Sequence, residues 1–132
     1  MSEFTISALE LRVLDDTLAL VRLPADAPVP AWVGGRDFLA VVRTRWELSI
    51  VCREDTVPVT LAEVQRDFRA FAVVGTLDFA QTGVVASLAQ PLAAAGISIF
   101  GVSTYDTDHI LVRADRLEDA KRALIAAGHT IR

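Results

Sequence analysis

Cysteine is nearly absent, Cys52 being the only one in the chain. A lone thiol cannot close an internal disulfide, and it excludes the zinc sites built mainly from cysteine. Long apolar runs are missing too, none approaching the roughly 20 residues that a bilayer-spanning helix needs. The opening stretch MSEFTISALELR is acidic and periodic rather than basic and then apolar, so no secretory signal peptide is expected. Basic patches are lacking, and a net charge of −4 disfavours a nucleic-acid backbone as partner. A glycine-rich phosphate loop and a Ser/His/Asp triad are also lacking. These gaps leave a soluble cytoplasmic protein as the expectation.

Apolar residues, by contrast, are abundant. They make up 52% of 132 residues, which argues against disorder and for apolar surface kept for a partner. The length is room for one ordinary domain or two very small ones, and a chain of this size buries about two-thirds of its unfolded surface.

The second half has the clearer pattern. FRAFAVVG, residues 68–75, is short, apolar and closed by glycine, and reads as a buried strand. TLDFAQTG turns the chain. From Thr82 the period becomes helical, with Val84, Val85, Leu88 and Leu92 on one face, Thr82 as N-cap and Gly96 just past the end. Pro91 inside this stretch predicts a kink or a fresh start. ISIFGVS and HILVR read as two further strands. Asp115 followed by Glu118 resembles a capping box, opening a helix whose core face is Leu117, Ala120, Leu124 and Ala127. HTIR closes the chain as a short strand. The order is β-α-β-β-α-β, the split βαβ arrangement of ferredoxin-like folds.

In the first half, ALELRVL and TLALVRL read as strands joined at Asp15-Asp16. PADAPVPAWVGG holds too much proline and glycine for more than one helical turn. FLAVVRTRW and ELSIVC read as a strand pair that repeats in the second half. Laid without gaps, Phe38 falls on Ile99, a spacing of 61 (99 − 38); Gly35 meets Gly96, Pro30 meets Pro91 and Glu47 meets Asp108. The expected fold class is therefore α+β, two ferredoxin-like βαββαβ modules in tandem with the first abbreviated. The boundaries are an N-terminal module over 1–60, a short helix or linker over 61–67, and a C-terminal module over 68–132.

Between two of the predicted strands lies STYDTD, residues 103–108. Asp106 and Asp108 offer a metal only two oxygen ligands on one loop, and no nearby His or Glu completes a shell. As a catalytic pair they lack a nucleophile. Asp and Thr are also ordinary turn formers, and turn chemistry alone favours a plain turn. The pairing of loops tilts the balance. Strands one and two of the split βαβ unit are expected to be adjacent and parallel, so the turn before the first helix lies beside STYDTD. The amides of Gly83 and Val84 at the helix start attract an anion, and Asp106 or Asp108 attracts a cation. Together they complement a zwitterionic amino acid. His109 and His129 read as a strand residue and a terminal surface residue. Cys52 reads as an inert small hydrophobe. For Trp32 and Trp46, core packing is favoured.

The run GTLDFAQTGVVASLAQPLAAAGISIFGVSTYDTDHILV, with RTRWELSIVC before it, resembles the tandem ACT-domain proteins of the amino-acid-binding ACT superfamily. It is closest to the branch sharing its domain type with the cytosolic arginine sensors of animals (CASTOR-like). The resemblance extends from about Leu18 to His129, with ISIFGVSTYDTDHILV as its most specific part. It implies paired ACT units with sheets side by side, and amino acids held at the interface between units. Carried over by residue, the ligand-contacting turn falls on Gln81, Thr82, Gly83 and Val84, and the facing loop on Ser103, Thr104, Asp106, Thr107 and Asp108. The expectation is a regulatory ligand sensor, a homodimer or larger homo-oligomer, that is not an enzyme. It should use no cofactor or metal and bind neither nucleic acid nor membrane. The rival from another class is an interaction module that dimerises and binds no ligand.

Overall fold

The computed structural model describes residues 8–77 and 82–132. Its elements follow one another as β1 (Glu10–Val13), β2 (Leu18–Leu23), β3 (Ala40–Arg43), β4 (Leu48–Arg53), β5 (Val64–Val73), α1 (Val84–Ala94), β6 (Phe100–Ser103), β7 (Asp108–Arg113), α2 (Leu117–Ala126) and β8 (Thr130–Ile131). The chain is mixed α+β. It divides into two compact units, one of Leu14–Arg69 and one of Ala70–Arg132 together with the residues up to Val13.

In the Leu14–Arg69 unit the strands run β3–β4–β2–β5. β2 and β4 pair antiparallel from Leu18↔Arg53 to Leu23↔Leu48. Inward residues of both strands, Val21, Leu48, Ile50 and Cys52 among them, make the core, against which Trp32, Val33 and Leu61 pack. Leu14–Arg69 itself contains no α-helix. The proline- and glycine-rich Pro24–Gly35 supplies turns instead, as its composition dictates. Trp32 thus packs as expected, whereas Trp46 is 73% exposed at a hairpin tip and is not a core residue.

The predicted repeat is visible in the register, at a different spacing. Ala40↔Val51 and Arg43↔Leu48 in the β3–β4 hairpin match Phe100↔Leu111 and Ser103↔Asp108 in the β6–β7 hairpin, a spacing of 60 (100 − 40) rather than 61. Thr44 and Thr104 explain why. Thr44 N donates to Glu47 O at 2.9 Å and Thr104 N to Thr107 O at 2.8 Å, so the two turns superpose threonine on threonine. With Gly35 opposite Gly96, the first copy carries one extra residue before its hairpin.

The stretch expected as a helix or linker, 61–67, carries no helix, since β5 already begins at Val64. Its burial alternates over Val64–Phe68 with period two, which is the pattern of a half-buried strand. β5 contributes its N-terminal half to one unit and its C-terminal half to the other.

In the second unit the strands run β8–β1–β5–β7–β6. β1 does not form a hairpin with β2; it pairs antiparallel with β5 (Leu11↔Val73) and parallel with β8 (Leu11↔Ile131). β7 stands between β5 and β6, so strands one and two of the βαββαβ order are not neighbours, contrary to expectation. Val84, Leu88 and Leu92 of α1 and Leu117, Ala120 and Leu124 of α2 pack onto the sheet's core residues. Ala127, expected on the core face, is exposed.

Helix ends differ in how far their local signals held. Gly96 (φ 74°) and Gly128 (φ 103°) reverse the chain after α1 and α2. At the first, Gly96 N bonds Ala93 O at 3.0 Å and Ile97 N bonds Leu92 O at 2.9 Å. At the second, Gly128 N bonds Ile125 O at 3.0 Å and His129 N bonds Leu124 O at 3.1 Å. Both are the paired 5→2 and 6→1 bonds of a glycine-terminated helix. The helix starts differ from what the local residues predict. The cap of α1 is Gly83, not Thr82, and the Asp115–Glu118 box does not form, because Ala114–Arg116 takes a 3-10 turn and α2 begins at Leu117 without a side-chain cap.

Candidate ligand site

Gly83 caps α1 in the left-handed conformation (φ 81°, ψ 4°), which a residue without Cβ adopts at no steric cost. Its carbonyl accepts from Ser87 N at 2.9 Å, closing the first turn. No cap side chain bonds the helix start, and no acidic residue lies in the first turn. The amides of Val84, Val85 and Ala86 have no intrahelical acceptor, and the helix dipole adds positive potential there.

Facing this helix start is the β6–β7 loop. Its hydroxyls mostly build the loop itself. Thr104 Oγ1 donates to Thr107 O at 3.0 Å and accepts from Thr107 N at 3.2 Å. Thr107 Oγ1 donates to Val73 O at 2.9 Å. Ser103 Oγ donates to Asp108 Oδ1 at 2.6 Å, a short charge-assisted bond that orients the carboxylate. Asp106 is tied by its backbone, its carbonyl accepting from Leu77 N at 2.7 Å. These last ties, with Thr107 to Val73, hold the loop against the end of β5 and bring the two walls together although β7 separates β5 from β6.

Between the walls is a cavity of about 380 Å³, lined by Leu77 and Gly83 to Ala86 on one side and Ser103 to Asp108 on the other. Of the expected site residues, Gly83, Val84, Ser103, Thr104, Asp106, Thr107 and Asp108 line it. Thr82 is exposed and is not part of the lining. Gln81 lies outside the described residues. Leu77, Ala86 and Tyr105 also line the cavity without having been expected there, as does Val85, which the helical period puts on the core face but which is 44% exposed. Val85 and Ala86 share a helical turn with Val84 and were within reach of that argument; Leu77 was not, because its place follows from a bond to Asp106. Aspartates are the only charged residues among the described lining. Among the described residues no group of three or more His, Cys, Asp and Glu is placed to hold a metal ion.

His109 follows Asp108 on β7 and is half-buried. Burial pushes its pKa below the ordinary value, against the opposing pull of the Asp108 charge and a backbone bond with Val102. Burial likewise pushes the Cys52 thiol up, which keeps it protonated and inert.

The family model of the ACT domain matches residues 63–126, and a second model, that of an N-terminal domain, matches residues 16–60. A solved protein of Agobacterium tumefaciens is 38% identical, with 96% of this chain and 94% of that chain covered and a TM-score of 0.89. This chain belongs to the family of that Agobacterium protein. The family's fold recurs at lower identity. A Vibrio cholerae protein of unknown function is 19% identical, with 91% and 90% covered and a TM-score of 0.68. The regulatory subunit of aspartate kinase from Thermus flavus is 14% identical, with 92% and 99% covered and a TM-score of 0.64. No curated protein is a significant match.

Within this family member the two hairpin loops are not equivalent sites. The Thr44 loop keeps the turn but places Trp46 and Leu48 where the other has Asp106 and Asp108. Arg45 stacks over the Trp46 ring at 5.4 Å. Among the described residues no α-helix precedes this loop, so its unit offers no helix start to face it.

Proposed function

We propose that the chain is a regulatory protein without catalysis of its own, and that it binds a small molecule, an amino acid, between the start of α1 and the Ser103–Asp108 loop. One observation carries this reading: a single cavity joins helix-start amides on one wall to Asp106 and Asp108 on the other. The first wall suits a carboxylate and the second an ammonium. The match to the ACT domain supports it, as does a fold shared with an aspartate kinase regulatory subunit. In this reading the chain is a tandem of ferredoxin-like modules. Its narrower kinship, with the branch of the cytosolic arginine sensors, rests on ISIFGVSTYDTDHILV. A second copy, packed at the cavity's open side, places the ligand at an interface between modules. No described helix is long and apolar enough to cross a membrane, and a cytoplasmic location belongs to the proposal.

A thermal-shift panel of the common amino acids tests it. A ligand at 100 times its dissociation constant stabilises the fold by about 2.7 kcal/mol, a rise of several degrees in a domain of this size. A panel in which no amino acid raises the melting temperature removes the amino-acid reading.

The interaction-module alternative has an observation of its own. β3 is bonded only to β4 among the described strands. Its own Val41 and Val42 are 43% and 53% exposed, and Leu39 just before it is 49% exposed. Such an edge is suited to pairing with another chain. A flat panel together with a stable dimer favours that alternative.

A further inference from the structure

α1 runs through Pro91 without a break. Proline has no N–H to give to the carbonyl four residues back, which here is that of Ser87. That carbonyl has another partner, since His129 Nε2 lies 3.1 Å from Ser87 O. The other ring nitrogen, Nδ1, accepts from Leu9 N at 3.1 Å. Because Nδ1 faces a donor, the ring's single proton belongs on Nε2, and Nε2–H donates to Ser87. His129 was expected at the surface but is 5% exposed. Gly128 is the cause: its left-handed turn sends the next residue back over Leu124, and the same reversal aims the imidazole at α1.

We propose that His129 is a positioning residue. Its neutral imidazole supplies the hydrogen bond that Pro91 lacks, and so ties the first turn of α1 to the residue preceding β1. The tie runs directly to the cavity, because Ser87 N is bonded to Gly83 O at 2.9 Å and Gly83 is part of the lining. Its functional consequence rests on the proposed ligand site. With His129 in place the helix-start amides are held in a fixed direction; without it, α1 has an unsatisfied, partly buried carbonyl one turn below the site and the amides lose their aim.

The test uses Pro91, since a histidine that merely fills space is indifferent to it. His129→Phe should speed backbone hydrogen exchange in α1, and weaken the amino acid found in the panel, by roughly threefold to tenfold, the value of one hydrogen bond. In a Pro91→Ala background, position 91 regains an N–H for Ser87, and the same His129 substitution should then change both readouts far less. Equal losses in the two backgrounds, or no change in α1 exchange in either, overturn the proposal. Should His129→Phe fail to fold, nitrogen NMR of the parent decides. A neutral ring protonated on Nε2 supports it, and one protonated on Nδ1 overturns it. Exchange and NMR need no ligand, so they stand even if the ligand site fails. Conversely, an amino acid that is lost in Asp108→Asn but bound normally by a His129→Phe protein with unaltered α1 exchange sinks the His129 role alone.

Discussion

Asp108 is the residue on which the proposed site depends most directly. Its carboxylate is oriented by Ser103 Oγ, so its direction is set before a ligand arrives. Asp108→Asn keeps the shape and removes the charge. Losing a charge-assisted bond is expected to weaken the amino acid by about tenfold to a hundredfold, which calorimetry reads directly. Binding as tight as the parent's in a folded variant would place the site elsewhere. The neighbouring His109 makes a separate prediction about acidity. Its pKa is lowered in the fold, first by burial, so the unfolded chain takes up a proton as pH falls through about 6.5 while the folded chain resists. Stability is complete above that pH and declines below it. Urea titrations across pH 7.5 to 5 should show the decline, and His109→Gln should flatten it; an equal slope in both proteins assigns the acid sensitivity to other groups.

Helix ends show how an element depends on one backbone conformation. Gly96 holds φ 74°, and a Cβ built there meets nothing within 4 Å. Gly96→Ala therefore costs only the left-handed conformation, about 1 kcal/mol, with no steric clash added. Gly96→Asn should cost less, because asparagine tolerates that region better. Denaturant midpoints should fall in the order glycine, asparagine, alanine at unchanged m-value. Equal midpoints would mean that the turn after α1 relaxes to another geometry. This end of the helix was legible from Gly96 alone, while its start was not. Thr82 has the better N-cap side chain by propensity, yet the chain enters the helix through Gly83, and propensity at one residue does not reveal where the preceding segment approaches from.

For the molecule as a whole, self-association is the main expectation. β3 and β6 are each paired on one side only among the described strands. Val41 and Val42 of β3 and the preceding Leu39 are exposed, and Phe100 is 37% exposed on β6. An apolar strand edge of this kind is commonly covered by a symmetric copy. Light scattering at tens of micromolar protein should report a dimer or larger. A clean monomer at that concentration contradicts it. Part of the candidate site was legible because polar residues clustered in an apolar chain stand out. STYDTD was therefore found as a wall of the cavity. That its threonine hydroxyls are consumed in building the turn was not visible, because turn chemistry and ligand chemistry use the same residues.

Local pattern alone determined the segments that became β1 to β4, β6 and β7, the two helices with the glycine end of the first, and the presence of a repeated hairpin. Each of these follows from the spacing of apolar residues within a few positions or from a residue's own backbone preference. Only the tertiary structure decided the partners. It placed β1 between β5 and β8, put β7 between β5 and β6, and buried His129 between Leu9 and Ser87. Those bonds join residues as far apart as Leu9 and His129. No local period encodes such a pairing, because the free energy that selects it comes from covering the core and satisfying backbone groups across the whole fold.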